Sequence, residues 1–165
     1  MCGIAGYFNP DQNYAENPKQ NFHTLSRMIN TMNHRGPDTY GHTIINSCCL
    51  AHTRLSIIDL ENGRQPMSYT KDGNTYYIVY NGEIYNYKEV KKTLLRKNYT
   101  FETNSDTEVI IAAFCHYGPG FVKELNGIFA IAIYDSMRNT LYLYRDRFGV
   151  KPLYYTCLLY TSDAA

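Results

Sequence analysis

The chain has 165 residues, 44% of them apolar and 19% charged, and a formal net charge of +1. That is ordinary composition for one globular domain rather than a disordered chain. With so little net charge and no long run of like charges, it argues against a nucleic-acid or anionic-membrane partner. No stretch approaches the roughly 18 apolar residues of a membrane span. The N-terminus lacks a basic region followed by an apolar one, so no signal peptide and a cytoplasmic location are expected.

Residues 2–8 alternate small and bulky groups and read as a short buried strand. From Lys19 to Asn33 the apolar positions Phe22, Leu25, Met28, Ile29 and Met32 fall at helical spacing. "HRGPD" then breaks the helix, because Gly36 and Pro37 cannot continue it. Residues 43–51, 54–58 and 75–82 read as strands, the last introduced by the turn "DGN". Asn86 with Glu89, and Ser105 with Glu108, have capping-box spacing and predict two helices, one to about Lys97 and one stopping at Gly118. "GIFAIAIYD" and "TLYLYRD", joined by "SMRN", predict a closing β-hairpin. Strands in clusters with helices grouped between them favour sheets layered with helices over a parallel doubly wound fold.

Five cysteines, an odd number with no C-x-x-C spacing, argue against a disulfide framework or a structural zinc site. Adjacent Cys48 and Cys49 would face opposite ways on a strand. His23, His34, His42, His52 and His116 show no ligand spacing and read as structural or surface residues.

Four features can carry chemistry. Trimming of Met1 would leave Cys2 with a thiol and a free α-amino group on one residue. The amine, with a reference pKa near 7.7–8.0, is a better neutral base at pH 7 than a lysine by about 3.5 kcal/mol. The alternative is that position 2 merely tolerates a small residue. In "NGEIYN", the Asn81 side-chain NH2 and the Gly82 N–H could hold an oxyanion, yet Asn-Gly is also a common hairpin turn. Arg54, opening "RLSIID", could grip a carboxylate with its guanidinium fork or make a surface ion pair. Asp106 could meet an ammonium, although a helix N-terminus favours an acidic residue in any case. Taken singly, each plainer reading is the stronger one.

Together they differ. "MCGIAGYF", "NHRGPD", "AHTRLSIIDL", "YNGEIYNY", "SDTEVI" and "RDRFGVKPLYY" occur in the order found in class II glutamine amidotransferase domains. These are N-terminal nucleophile hydrolases, and the wording of "HRGPD" and "NGEIYN" resembles the glutaminase half of glutamine-hydrolysing asparagine synthetase. The resemblance implies an α+β fold, a four-layer αββα sandwich of two mostly antiparallel sheets. It implies that Cys2 attacks the glutamine amide, with its own amine moving the proton. Asn81 and Gly82 would then form the oxyanion hole. Arg54 would hold the α-carboxylate, with the backbone of Leu55, Ser56, Ile57 and Ile58 lining the pocket. Glu83 and Asp106 would meet the α-ammonium. His34 and Arg35 would order a loop rather than act chemically.

No metal or cofactor is implied for this domain; ATP and Mg would serve only a synthetase domain, whose phosphate-binding loop the chain lacks. The implied partners are L-glutamine and that synthetase domain, with a homodimer as a possible assembly. The resemblance runs over residues 2–155. "TCLLYTSDAA" at 156–165 does not match, which suggests a truncated domain with a non-native tail. The competing readings are a related amidotransferase with another ammonia acceptor and a non-catalytic interaction module of the same fold.

Overall fold

The computed structural model describes residues 2–54 and 63–157. In chain order the elements are β1 (Gly3–Phe8), α1 (Pro18–Met32), β2 (Thr39–Ile45), β3 (Cys48–Arg54), β4 (Met67–Lys71) and β5 (Asn74–Ile84). There follow α2 (Tyr87–Leu95), α3 (Asp106–Tyr117), β6 (Gly127–Asp135) and β7 (Thr140–Arg145). They form two antiparallel sheets, one ordered β1-β3-β2 and the other β4-β5-β6-β7.

Three apolar layers stack these sheets. Leu25 and Ile29 of α1 pack on Cys49 and Ala51 of β3. Cys48 and Leu50, on the other face of β3, meet Val79, Ala132 and Tyr134 of the second sheet. The far face of that sheet carries Ile78, Ile131 and Ile133 against Val109, Ile110 and Phe114 of α3 and Leu94 of α2. The order is therefore helix, sheet, sheet, helix: the αββα sandwich. Cys48 and Cys49 do face opposite layers. Burial raises both thiols well above the ordinary range, and it pushes Cys115 up to about 12.

Three local expectations need correction. The run at 43–51 is not one strand, because Asn46, at φ 34°, turns the chain between β2 and β3. Both flanks are apolar, so hydrophobicity alone does not expose the break. Of the strand expected at 54–58, Arg54 is the last residue of β3 and 55–58 lie outside the described residues. Asn86 makes no cap: its side chain accepts from Asn126 N–H at 2.8 Å and donates to the Glu124 carbonyl at 2.9 Å, tying α2 to the start of β6. Ser105 does cap α3, accepting from Thr107 N–H at 3.1 Å. Glu108 turns instead to the backbone of Glu102 and Thr103. β4 was not foreseen, being a short edge strand with one face partly covered and the other exposed.

"RDRFGVKP" is knotted by Asp146. Its Oδ1 accepts from Phe148 and Val150 N–H at 3.1 and 3.0 Å, and its Oδ2 from Lys151 and Phe129 N–H at 2.9 and 3.2 Å. Burial pushes this carboxyl upward, but those donors outweigh it and hold it below the ordinary carboxylate range. Its contribution to stability is thus present above the unfolded-state pKa near 3.9 and is lost as pH falls through the lower folded value. Asp146→Ala is expected to cost about 1–2 kcal/mol at pH 7. In urea titrations that difference should shrink below about pH 4; a pH-independent difference would contradict the assignment.

No helix among the described residues is long and apolar enough to cross a membrane.

Candidate active site

The site lies where β4 has ended and β5 continues. β4 pairs with β5 only as far as Met67 opposite Ile78, so among the described residues the outer edge of β5 from Tyr80 to Ile84 has no strand beside it. Tyr80 N–H points to this open edge, because it donates to Gln65 Oε1 at 2.6 Å. Antiparallel pairing alternates inward and outward groups, so Gly82 N–H points the same way. The partner strand agrees: Phe129, opposite Gly82, uses its own N–H and C=O on Asp146 across the far side. Gly82 thereby presents a main-chain donor to the open edge. A side chain could not sit there, since a Cβ would run into the Ile128 carbonyl and come within 2.7 Å of Phe129 Cα.

A small cleft opens beside this edge, with a cavity volume of about 80 Å³. Cys2, Arg54, Gly82, Glu83 and Asp106 all line it. Antiparallel register explains the first pair. Gly3 sits opposite Thr53, so Cys2, one residue earlier, comes level with Arg54 at the end of β3. Arg54 is only 6% exposed, and its guanidinium brings a buried positive charge to the cleft. Asp106 reaches the cleft as the first residue of α3 and is likewise buried.

The "HRGPD" loop collars these groups. Arg35 Nε donates to the Cys2 carbonyl at 3.3 Å, and Asp38 N–H donates to the Arg54 carbonyl at 3.1 Å. Pro37 makes a bridge to Arg54, and the loop approaches β3 so closely that a Cβ on Gly36 would lie 2.6 Å from Arg54 N. The loop thus fixes both the nucleophile candidate and the arginine, in keeping with an ordering role for Arg35.

Asn81 is buried on β5, on the side that Val79 turns to the first sheet, and it is not among the lining residues. Leu55, Ser56, Ile57 and Ile58 lie outside the described residues. Several lining residues escape sequence reading, His52, Gln65 and Tyr80 among them. His52 shares the Arg54 face of β3 and is 1% exposed. Burial pushes its imidazole down to about 4, a bond to the Tyr80 backbone opposes this, and Arg54 adds to it. It is therefore neutral at pH 7, and Arg54 keeps the cationic role on this face. The two-residue spacing in "HTR" was the available signal. Gln65 and Tyr80 had none, because their contribution depends on where β4 stops.

Asp106 sits in a demanding environment. Burial pushes its carboxyl above the ordinary range, hydrogen bonds from Tyr80 Oη and the backbone of Ile84 and Thr107 pull it back, and Glu83 pushes it up. Among the described residues no group of His, Cys, Asp or Glu has the arrangement of a metal site.

A thiol beside a chain terminus, an outward main-chain donor, a buried arginine and a buried carboxylate together suit acyl transfer from a small zwitterion. Comparison with known proteins agrees. A family profile described as "Glutamine amidotransferase domain" matches residues 1–164. The chain belongs to this family. Asparagine synthetase [glutamine-hydrolyzing] 3 of Bacillus subtilis is 42% identical to this amidotransferase domain over 156 residues, 94% of the chain and 25% of the relative. An amidase of Penicillium rubens is 38% identical over 163 residues, 94% of the chain and 24% of the relative. The amidotransferase domain thus spans about a quarter of the length of the curated relatives it matches. Among solved structures, a glutamine phosphoribosylpyrophosphate amidotransferase of B. subtilis superposes with a TM-score of 0.52 at 21% identity, over 64% of this chain and 25% of that one. That likeness bears on the fold alone, and it agrees with the layered two-sheet architecture.

Proposed function

We propose that this amidotransferase domain hydrolyses L-glutamine and supplies the ammonia to an asparagine-forming synthetase. The observation that carries the reading is the convergence of Cys2, Arg54, Gly82 and Asp106 on one cleft, from four segments distant in sequence. Arg54 pairs the glutamine α-carboxylate, and Asp106 with Glu83 takes the α-ammonium, which directs the side-chain amide toward Cys2. The sulfur attacks the amide carbon while its proton passes to the Cys2 α-amine. Gly82 N–H, joined by the Asn81 side-chain amide, stabilises the oxyanion. As the tetrahedral intermediate collapses, the C–N bond breaks and the amine returns the proton, so that ammonia leaves from a γ-glutamyl thioester. Water then adds to the thioester carbon, the same amine moving its proton, and glutamate departs with the thiol restored. The scheme calls for no metal or cofactor in this domain; ATP and Mg would belong to the synthetase portion.

A glutamine-shaped electrophile tests it directly. Peptide mapping should place the adduct on Cys2, and excess glutamine should protect it. Labelling of the exposed Cys157 or of several cysteines without glutamine protection would refute the reading. Asp106→Asn is expected to raise KM for glutamine about tenfold while changing kcat less. An unchanged KM would remove Asp106 from the binding role.

A second reading keeps the same ammonia-releasing chemistry with a different acceptor. The similarity to the Penicillium amidase favours it. Product analysis of the whole enzyme with glutamine, ATP and aspartate separates the two, since asparagine forms only under the first.

A further inference from the structure

We propose that Tyr80 and Gln65 are positioning residues that hold the Asp106 carboxylate in place for the α-ammonium of glutamine. This rests on the ammonium-binding role of Asp106 proposed above. Tyr80 Oη donates to Asp106 Oδ2 at 2.9 Å, the contact that sets the orientation of the carboxylate in the cleft.

Gln65 fixes the geometry in which this holds. Its Oε1 accepts from Tyr80 N–H at 2.6 Å, and its Nε2 donates to Thr107 Oγ1 at 3.2 Å. The amide orientation follows from its partner, because a backbone N–H requires an acceptor. One side chain thus joins the open edge of β5 to the first turn of α3, where β4 no longer separates them. Tyr80 closes the ring from the same residue's far end, its hydroxyl touching Asp106 while its N–H touches Gln65. The Tyr80 ring is nearly buried, and burial together with Asp106 raises its hydroxyl well beyond the ordinary range, so it remains a donor at every working pH. Other charged or titratable groups facing this point are Glu83 on β5, His52 and Arg54 on β3, and Cys2 ahead of β1. Glu108 of α3 is turned away onto Thr103.

The test separates binding from chemistry by titrating L-glutamine calorimetrically into the Cys2→Ala protein from about pH 4 to 9, a range that runs from the ordinary carboxylate pKa to above neutrality. In that background Tyr80→Phe should weaken binding about tenfold at pH 8. It should also move the pH below which binding is lost upward by about one unit, since it removes a donor that favours the ionised carboxylate. Gln65→Ala should weaken binding severalfold without moving that limb. Adding Tyr80→Phe to Asp106→Asn should have little further effect, because the pair acts as a unit.

If Asp106→Asn itself leaves binding intact, the ammonium reading fails and this proposal with it. If Asp106→Asn weakens binding while Tyr80→Phe shifts neither affinity nor limb, the positioning role alone is overturned. Should Tyr80→Phe not fold by thermal unfolding, undiminished binding by Gln65→Ala overturns the proposal and severalfold weaker binding supports it.

Discussion

Cys2→Ala is expected to abolish glutamate release from glutamine, leaving less than about one part in ten thousand of the original rate, with no loss of folded structure. The size of the effect follows from the site. Cys2 is the one cysteine among the described residues lining the cleft, so on the proposed mechanism removing its sulfur removes the nucleophile, and the remaining donors cannot replace it with a water-based route of comparable rate. Stability should be spared because Cys2 precedes β1, is partly exposed, and contributes to the collar through its backbone carbonyl, which alanine retains. The other thiols cannot substitute. Cys48 and Cys49 are buried in separate layers of the core, with thiols raised by desolvation. Glutamate production measured alongside circular dichroism checks both halves. Substantial turnover by a well-folded Cys2→Ala protein would refute the N-terminal nucleophile outright.

Arg54→Lys is expected to raise KM for glutamine about thirtyfold, corresponding to about 2 kcal/mol, with a much smaller change in kcat. Lysine keeps the charge but loses the planar fork that meets a carboxylate with two parallel hydrogen bonds. It must also place a strongly hydrated ammonium where Arg54 is only 6% exposed. The neutral His52 beside it offers no compensating cation near neutral pH. A small electrophile without a carboxylate provides the control, since it should alkylate Cys2 in this variant at the original rate. A KM unaltered by the change would place the α-carboxylate elsewhere.

Much of the architecture was legible because the elements announce themselves locally. The 3.6-residue spacing of Leu25 and Ile29 places α1 on its sheet, and the Ser105 cap starts α3 where expected. The Asp72–Gly73 turn, with φ 50° and 78°, joins β4 to β5 as "DGN" suggested. The nucleophile, the arginine and the acid were legible only as an ordered set of motifs, since each alone has an ordinary explanation. What escaped depends on non-local facts. That Tyr80 and Gln65 belong to the cleft follows from β4 ending opposite Ile78, and a sequence does not display where a neighbouring strand stops. The split at Asn46 was hidden because both flanking segments are apolar. Asn86 abandons its own helix for a partner forty residues away, a choice that tertiary packing makes and local propensity cannot anticipate.

The margin of β5 that borders the cleft has a bearing on solubility as well. An uncovered row of amide and carbonyl groups is an invitation for foreign chains to zip alongside and seed fibres. Here the Tyr80 amide is occupied by Gln65, the Tyr80 backbone is met again by His52, and the Ile84 amide is taken by Asp106. Side chains occupy the template at Tyr80 and Ile84, leaving at Gly82 between them a gap that fits a small molecule but is too short for an incoming strand to take hold.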